Sequence, residues 1–119
     1  MAKFLIVDDS IFVRERLKSI LEKHQHEVIE AENGASSIEL FKENAPDMVI
    51  MDITMPEMNG ITATKEILKI DENAQIMMLT NVGEQSIVLE ALQTGAVDYI
   101  TKPFDEEKLI SRIKLAMIN

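Results

Sequence analysis

Phe4-Leu5-Ile6-Val7-Asp8-Asp9 runs four apolar residues straight into two carboxylates, and Met48-Val49-Ile50-Met51-Asp52 repeats the arrangement with a third. Short apolar runs of this kind, bounded by polar residues, read as strands buried on both faces, as in a parallel sheet. Parallel strands of one sheet bring their C-terminal ends together, so Asp8, Asp9 and Asp52 are expected to converge on one small patch. Three such anions repel by roughly 4 kcal/mol per close pair at an effective dielectric of about 20, so the patch makes sense only with a cation in it. Carboxylates with no Cys or His nearby select a hard, oxygen-loving ion. Mg²⁺ is the first candidate, because it needs only one or two carboxylates and keeps water or phosphoryl oxygens as its other ligands.

Outward from these two runs, short apolar stretches alternate five times with longer amphipathic ones, the pattern of βα units around a parallel sheet. Strands are expected at about 3–7, 27–31, 48–52, 75–80 and 96–101, and helices at about 11–24, 35–44, 60–70, 84–94 and 105–118. Asn33-Gly34, Pro46-Asp47, Pro56 through Gly60, and Gly95 punctuate them. The fold class is α/β, a doubly wound five-stranded parallel sheet with helices on both sides. At 119 residues the chain reads as one domain, 1–119, with 46% apolar and 28% charged residues as in ordinary globular proteins. The net charge of −9 argues against a nucleic-acid surface. The absence of cysteine fits a reducing compartment. No apolar run reaches a membrane span, and the N-terminus enters the first strand without a leader, so no membrane partner and a cytoplasmic location are expected.

Two leucines stand off the apolar faces of their helices. On the fourth helix Ile87, Val88, Ala91 and Leu92 share a face and Leu89 points away; on the fifth, Leu115 lies nearly opposite Leu109, Ile110, Ile113 and Met117. Both are expected to be exposed, as isolated surface residues or as a docking patch. His24 and His26, two apart at a helix end, share no face and read as solvated surface rather than a metal pair.

Thr80 ends the fourth strand and Lys102 the fifth, which adds a hydroxyl and an ammonium to the three aspartates at the same sheet edge. Ligands of open α/β sheets bind outside the carboxyl ends of the strands. A carboxylate nucleophile, a metal held by other carboxylates, a hydroxyl donor and an ammonium suit a phosphoryl group: the cations neutralise its oxygens, Thr80 donates to it, and an aspartate oxygen attacks phosphorus in line. The product is an aspartyl phosphate. For one aspartate alone, helix capping is the plainer alternative.

Leu5-Ile6-Val7-Asp8-Asp9, Met51-Asp52-Ile53-Thr54-Met55-Pro56-Glu57-Met58-Asn59-Gly60, Leu79-Thr80 and Lys102-Pro103-Phe104 resemble the receiver domain of two-component response regulators, in style closest to the single-domain chemotaxis (CheY-like) type. The resemblance runs from end to end. It implies the flavodoxin-like three-layer α/β/α arrangement with strand order 2-1-3-4-5. It further implies that Asp52 accepts a phosphoryl group from a sensor histidine kinase or histidine phosphotransfer protein. Asp9, Asp52 and the Thr54 carbonyl would bind Mg²⁺, with Asp8 acting largely through water. Lys102 would contact the phosphoryl group, preceding a cis bond to Pro103, while Thr80 and Tyr99 would act as the switch. The fourth helix, fifth strand and fifth helix would then change their affinity for a downstream protein, one controlling chemotaxis or motility. The implied unit is a monomer, and the chain's end at Ile118-Asn119 in the last helical pattern favours a stand-alone receiver.

Two positions depart from the family's pattern or tune it. Asn81 stands where a very small residue is usual, and its side chain is expected to crowd the phosphoryl site or to reach the metal's water shell. Val82 offers no polar atom to orient water, which implies slow self-dephosphorylation. An aspartate-nucleophile phosphatase would carry a second Asp where Thr54 stands, so the protein reads as a signalling phosphoacceptor and not an enzyme. A flavin site would need phosphate-cradling amides where Asp8-Asp9 would repel. The alternatives kept are a receiver-like docking module that works without phosphorylation and a phosphorelay intermediate.

Overall fold

A computed structural model describes residues 1–81 and 83–117. Val82, Ile118 and Asn119, which the sequence reading singled out, lie outside the described residues. Strands and helices alternate as β1 (Lys3–Val7), α1 (Ile11–Lys23), β2 (Glu27–Ala31), α2 (Gly34–Asn44), β3 (Met48–Asp52), α3 (Gly60–Ile70), β4 (Ile76–Asn81), α4 (Gln85–Thr94), β5 (Asp98–Lys102) and α5 (Glu106–Met117). The expected boundaries hold to within two residues. The largest offset is at β5, which starts at Asp98 rather than 96 because the chain is still leaving α4. Gly95 closes that helix at φ +132°, and the Ala96 N–H returns to the Ala91 carbonyl at 3.1 Å.

All strand pairs are parallel, in the order β2-β1-β3-β4-β5. Period-2 alternation divides the core into two halves. Phe4, Ile6, Met48 and Ile50 pack with Leu17 of α1 and Leu109 of α5, while Leu5, Val7, Val49 and Met51 pack with Phe41 of α2 and Ile67 of α3. This is the three-layer, flavodoxin-like arrangement, with both faces of the sheet covered. The chain runs outward from β1 to β2 and then crosses back to β3, so the strand order reverses between β1 and β3, where a ligand crevice is expected.

The N-termini of α1, α2 and α3, the helices that follow β1, β2 and β3, are capped by Ser10, Asn33 and Asn59, whose side chains accept from Val13, Ser36 and Thr62 N–H groups. Helix capping therefore does not account for the aspartates. Leu89 and Leu115 are exposed, at 57% and 60%. Leu92, read as core, is also partly exposed, because Val88 and Ala91 form the buried stripe of α4. His26 corrects the surface reading. It is half-buried, its Nδ1 accepts the Ala2 N–H at 3.0 Å, and its ring meets Phe4 edge-on at 4.9 Å. No described helix is long and apolar enough to cross a membrane.

Candidate functional site

The strand alternation that fills the core also builds the site. Asp8, Asp52 and Lys102 continue the parity of Ile6, Ile50 and Ile100, so all three face the α1/α5 side at the C-terminal edge. Thr80 continues the parity of Ile76 and Met78, and Tyr99 packs with that same cluster, so these two face the α2–α4 side. Register aligns the ends, with Val7 opposite Met51, Asp52 opposite Leu79, and Asn81 opposite Lys102.

Lys102 Nζ donates to Asp8 Oδ2 at 2.9 Å and lies 3.2 Å from Asp52 Oδ1. Asp8 is wholly buried and Asp52 nearly so, at 3% exposure. Asp9 is exposed, yet one of its carboxylate oxygens lies within 4.8 Å of those of Asp8 and Asp52. Asp8 is held firmly in place: Oδ1 accepts the Ser10 N–H at 2.8 Å, and its carbonyl accepts Arg14 Nη1 at 2.6 Å. Thr80 is buried beside this group, whereas Thr54 and Asn81 are exposed at its rim. The Lys102-Pro103 bond is cis, as the resemblance implied.

The electrostatics follow from three carboxylates sharing one ammonium. Burial and the Asp8 charge push Asp52 up to about 6, against the pull of Lys102. Burial also works against the Lys102 ammonium, but its hydrogen bond to Asp8 and the two buried carboxylate charges raise its pKa above the ordinary lysine value. An all-oxygen donor set with surplus negative charge, one member open to solvent, fits Mg²⁺ with part of its water shell retained. Nitrogen- or sulfur-preferring metals find no matching donor in that cluster.

A pH dependence follows. The folded-state pKa of Asp52 lies above its ordinary value of 3.8, so the native state binds this proton more tightly than the unfolded chain does. That stabilisation is fully present below pH 4 and is lost as pH rises through about 6. In EDTA at pH 7.5, Asp52→Asn is expected to be more stable than wild type by on the order of 2 kcal/mol, less than the full shift implies because the site opens to solvent at Asp9. Urea titrations at pH 5 and pH 7.5 check this: the mutant's advantage should shrink at the lower pH.

Sequence reasoning missed Glu84, assigned only to the start of the fourth helix. Its Oε1 accepts the Asn81 N–H at 2.7 Å and the Thr80 hydroxyl at 3.2 Å, and its Oε2 accepts the Thr54 hydroxyl at 3.1 Å. The Asn81 bond holds its carboxyl below the usual glutamate range despite partial burial, with Thr54 and Thr80 adding to the effect. The one available signal was its spacing of four residues from Thr80.

A doubly wound sheet with an aspartate cluster and a lysine at the switch point defines a receiver. Residues 4–114 match the response regulator receiver domain family, and the chain belongs to that family. It is 53% identical to the chemotaxis protein CheY of Bacillus subtilis (strain 168) over 112 residues, 93% of each chain. The chemotaxis protein CheY of Thermotoga maritima is 50% identical over the same share of each. The crystal structure of chemotaxis protein CheY4 of Vibrio cholerae superposes with a TM-score of 0.93 at 30% identity, covering 98% of both chains.

Proposed function

We propose that this receiver takes a phosphoryl group onto Asp52 from a phosphohistidine of a sensor kinase or a histidine phosphotransfer protein. The observation that carries the reading is a nearly buried carboxylate, Asp52, sharing one ammonium with Asp8 at the switch point of the sheet. An Asp52 oxygen attacks phosphorus and forms the new P–O bond as the P–N bond of the donor breaks. The electron pair of that bond stays on the donor's imidazole nitrogen, and the ring leaves as neutral imidazole with its proton on the other nitrogen. Lys102 shifts from the Asp52 oxygen to the phosphoryl oxygens, and Thr80 donates its hydroxyl to one of them. A Mg²⁺ ion held by Asp9, Asp52 and the Thr54 carbonyl, with Asp8 acting through water, would supply further neutralisation of those oxygens. The chain catalyses only its own phosphorylation and dephosphorylation.

Movement of Thr80 vacates space that Tyr99 enters, and the α4-β5-α5 face changes its affinity for a downstream protein. The exposed Leu89 and Leu92, which border one cleft with Tyr99 and Lys108, give that face its apolar character. Chemotaxis or motility control is the pathway favoured by the relatives' names, with the receiver acting as a monomer in the cytoplasm. The test is intact-mass analysis after incubation with acetyl phosphate, with Mg²⁺ or EDTA. One Mg²⁺-dependent phosphoryl adduct is expected, and none on Asp52→Asn. A wild type without an adduct would favour a docking module that works without phosphorylation.

A further inference from the structure

Glu84 occupies the donors that a phosphoryl group on Asp52 needs. Thr80 has one hydroxyl proton and two acceptors within reach, the Asn81 carbonyl at 3.4 Å and Glu84 Oε1 at 3.2 Å, and the nearer, charged one is the Glu84 oxygen that also accepts the Asn81 N–H. A hydroxyl donates only once, so Thr80 cannot serve Glu84 and a phosphoryl oxygen together. The third contact, from Thr54, ties the same carboxylate to the segment that follows Asp52. Two anions therefore compete for one set of donors, and each also repels the other. Glu84 is further the residue from which α4 starts: its carbonyl accepts the Ile87 and Val88 N–H groups at 3.1 and 3.0 Å. A cleft of about 550 Å³, bordered by Glu84, Leu89, Tyr99 and Lys108, gives a released carboxylate both room and a cation.

We propose that Glu84 is an internal competing anion, clamping Thr80, Asn81 and Thr54 in the unphosphorylated protein and displaced by the phosphoryl group, so that its release loosens the first turn of α4. The inference rests on Asp52 being the phosphoacceptor. Glu84 is a positioning residue: it sets whether Thr80 is free, and it links the site to the helix that carries Leu89.

The experiment compares wild type, Glu84→Gln and Glu84→Ala. Adduct formation from acetyl phosphate in Mg²⁺ is followed by mass, and the Asn81 amide resonance and Val88 amide exchange are followed by NMR. Losing the competing charge is expected to speed phosphorylation roughly fivefold in Glu84→Ala, with Glu84→Gln between it and wild type because the amide oxygen still accepts hydrogen bonds. In unphosphorylated Glu84→Ala the Asn81 resonance should already lie near its position in phosphorylated wild type, with Val88 exchange raised about fivefold. A merely structural role for Glu84 would not move the Asn81 amide toward its phosphorylated position. Adducts at one common rate, with an unmoved Asn81 resonance, overturn the clamp alone. An adduct-free wild type overturns the phosphoacceptor reading, and the clamp's role with it.

Discussion

Replacing Lys102 by methionine is expected to lower stability in EDTA by about 3 kcal/mol and to slow phosphorylation of Asp52 by about a hundredfold. Methionine keeps most of the apolar stem and removes the charge, so the loss reports electrostatics rather than packing. Without the ammonium, Asp8 at 0% and Asp52 at 3% exposure face one another with no other ion-pair partner among the described residues. Breaking a buried pair from one side leaves an uncompensated charge, which costs far more than the pair was worth intact. Mg²⁺ should restore much of the stability, because a divalent ion bound only by the folded state stabilises it by mass action and replaces the missing charge. It should not restore the rate, since in the proposed transfer Lys102 also follows the phosphoryl oxygens. Urea unfolding with and without Mg²⁺, beside the acetyl phosphate assay, separates the two effects. A loss below about 1 kcal/mol that is insensitive to Mg²⁺ would mean the cluster is not limited by charge.

The elements were legible because the two periods are distinct here. The apolar runs ending at Val7 and Met51 leave no helical reading, and α1 to α5 carry amphipathic spacing between turn signals. Convergence of Asp8, Asp9, Asp52, Thr80 and Lys102 was legible too, since each lies at or just past the C-terminal end of a strand of one parallel sheet. Strand order was not contained in the periodicity and came from family resemblance, to which the observed β2-β1-β3-β4-β5 order corresponds. What stayed hidden depends on side-chain reach and on register. Glu84 bends back from α4 to three donors on two other segments, and no local pattern encodes that path. His26 looked like a surface residue at a helix end, but the turn after α1 lays its ring against Phe4. The division of the site, with the charged groups on the α1/α5 side and Thr80 with Tyr99 on the other, emerges only once the strands are paired.

Gly60→Ala is expected to destabilise the domain by about 3 kcal/mol or more, and Gly34→Ala to lie within about 1 kcal/mol of wild type. Both glycines follow a capping asparagine and open a helix, α3 and α2 respectively. By propensity alone, alanine at either position would gain stability, because glycine loses the most backbone freedom on folding. Their surroundings decide otherwise. The atoms nearest a Cβ at Gly34 are Met58 Cγ and Sδ at 3.0 Å and Met58 Cβ at 3.2 Å; the thioether can turn aside, and the Cβ contact asks for a shift of only a few tenths of an ångström. A Cβ at Gly60 would collide with the backbone carbonyl of Asp52 and come within 2.9 Å of Ile53 Cα, atoms fixed by the β3–β4 ladder. Gly60 N–H also donates to the Ile53 carbonyl at 2.7 Å, so the start of α3 cannot withdraw without losing that bond. Relief must come from moving the Asp52–Thr54 segment, which carries the proposed phosphoacceptor and the proposed carbonyl ligand of Mg²⁺. Phosphorylation should therefore fall together with stability in Gly60→Ala and stay near wild type in Gly34→Ala. Equal urea midpoints for the two variants would show that α3 can slide off β3 freely, and that Asp52 owes its position to its own strand alone.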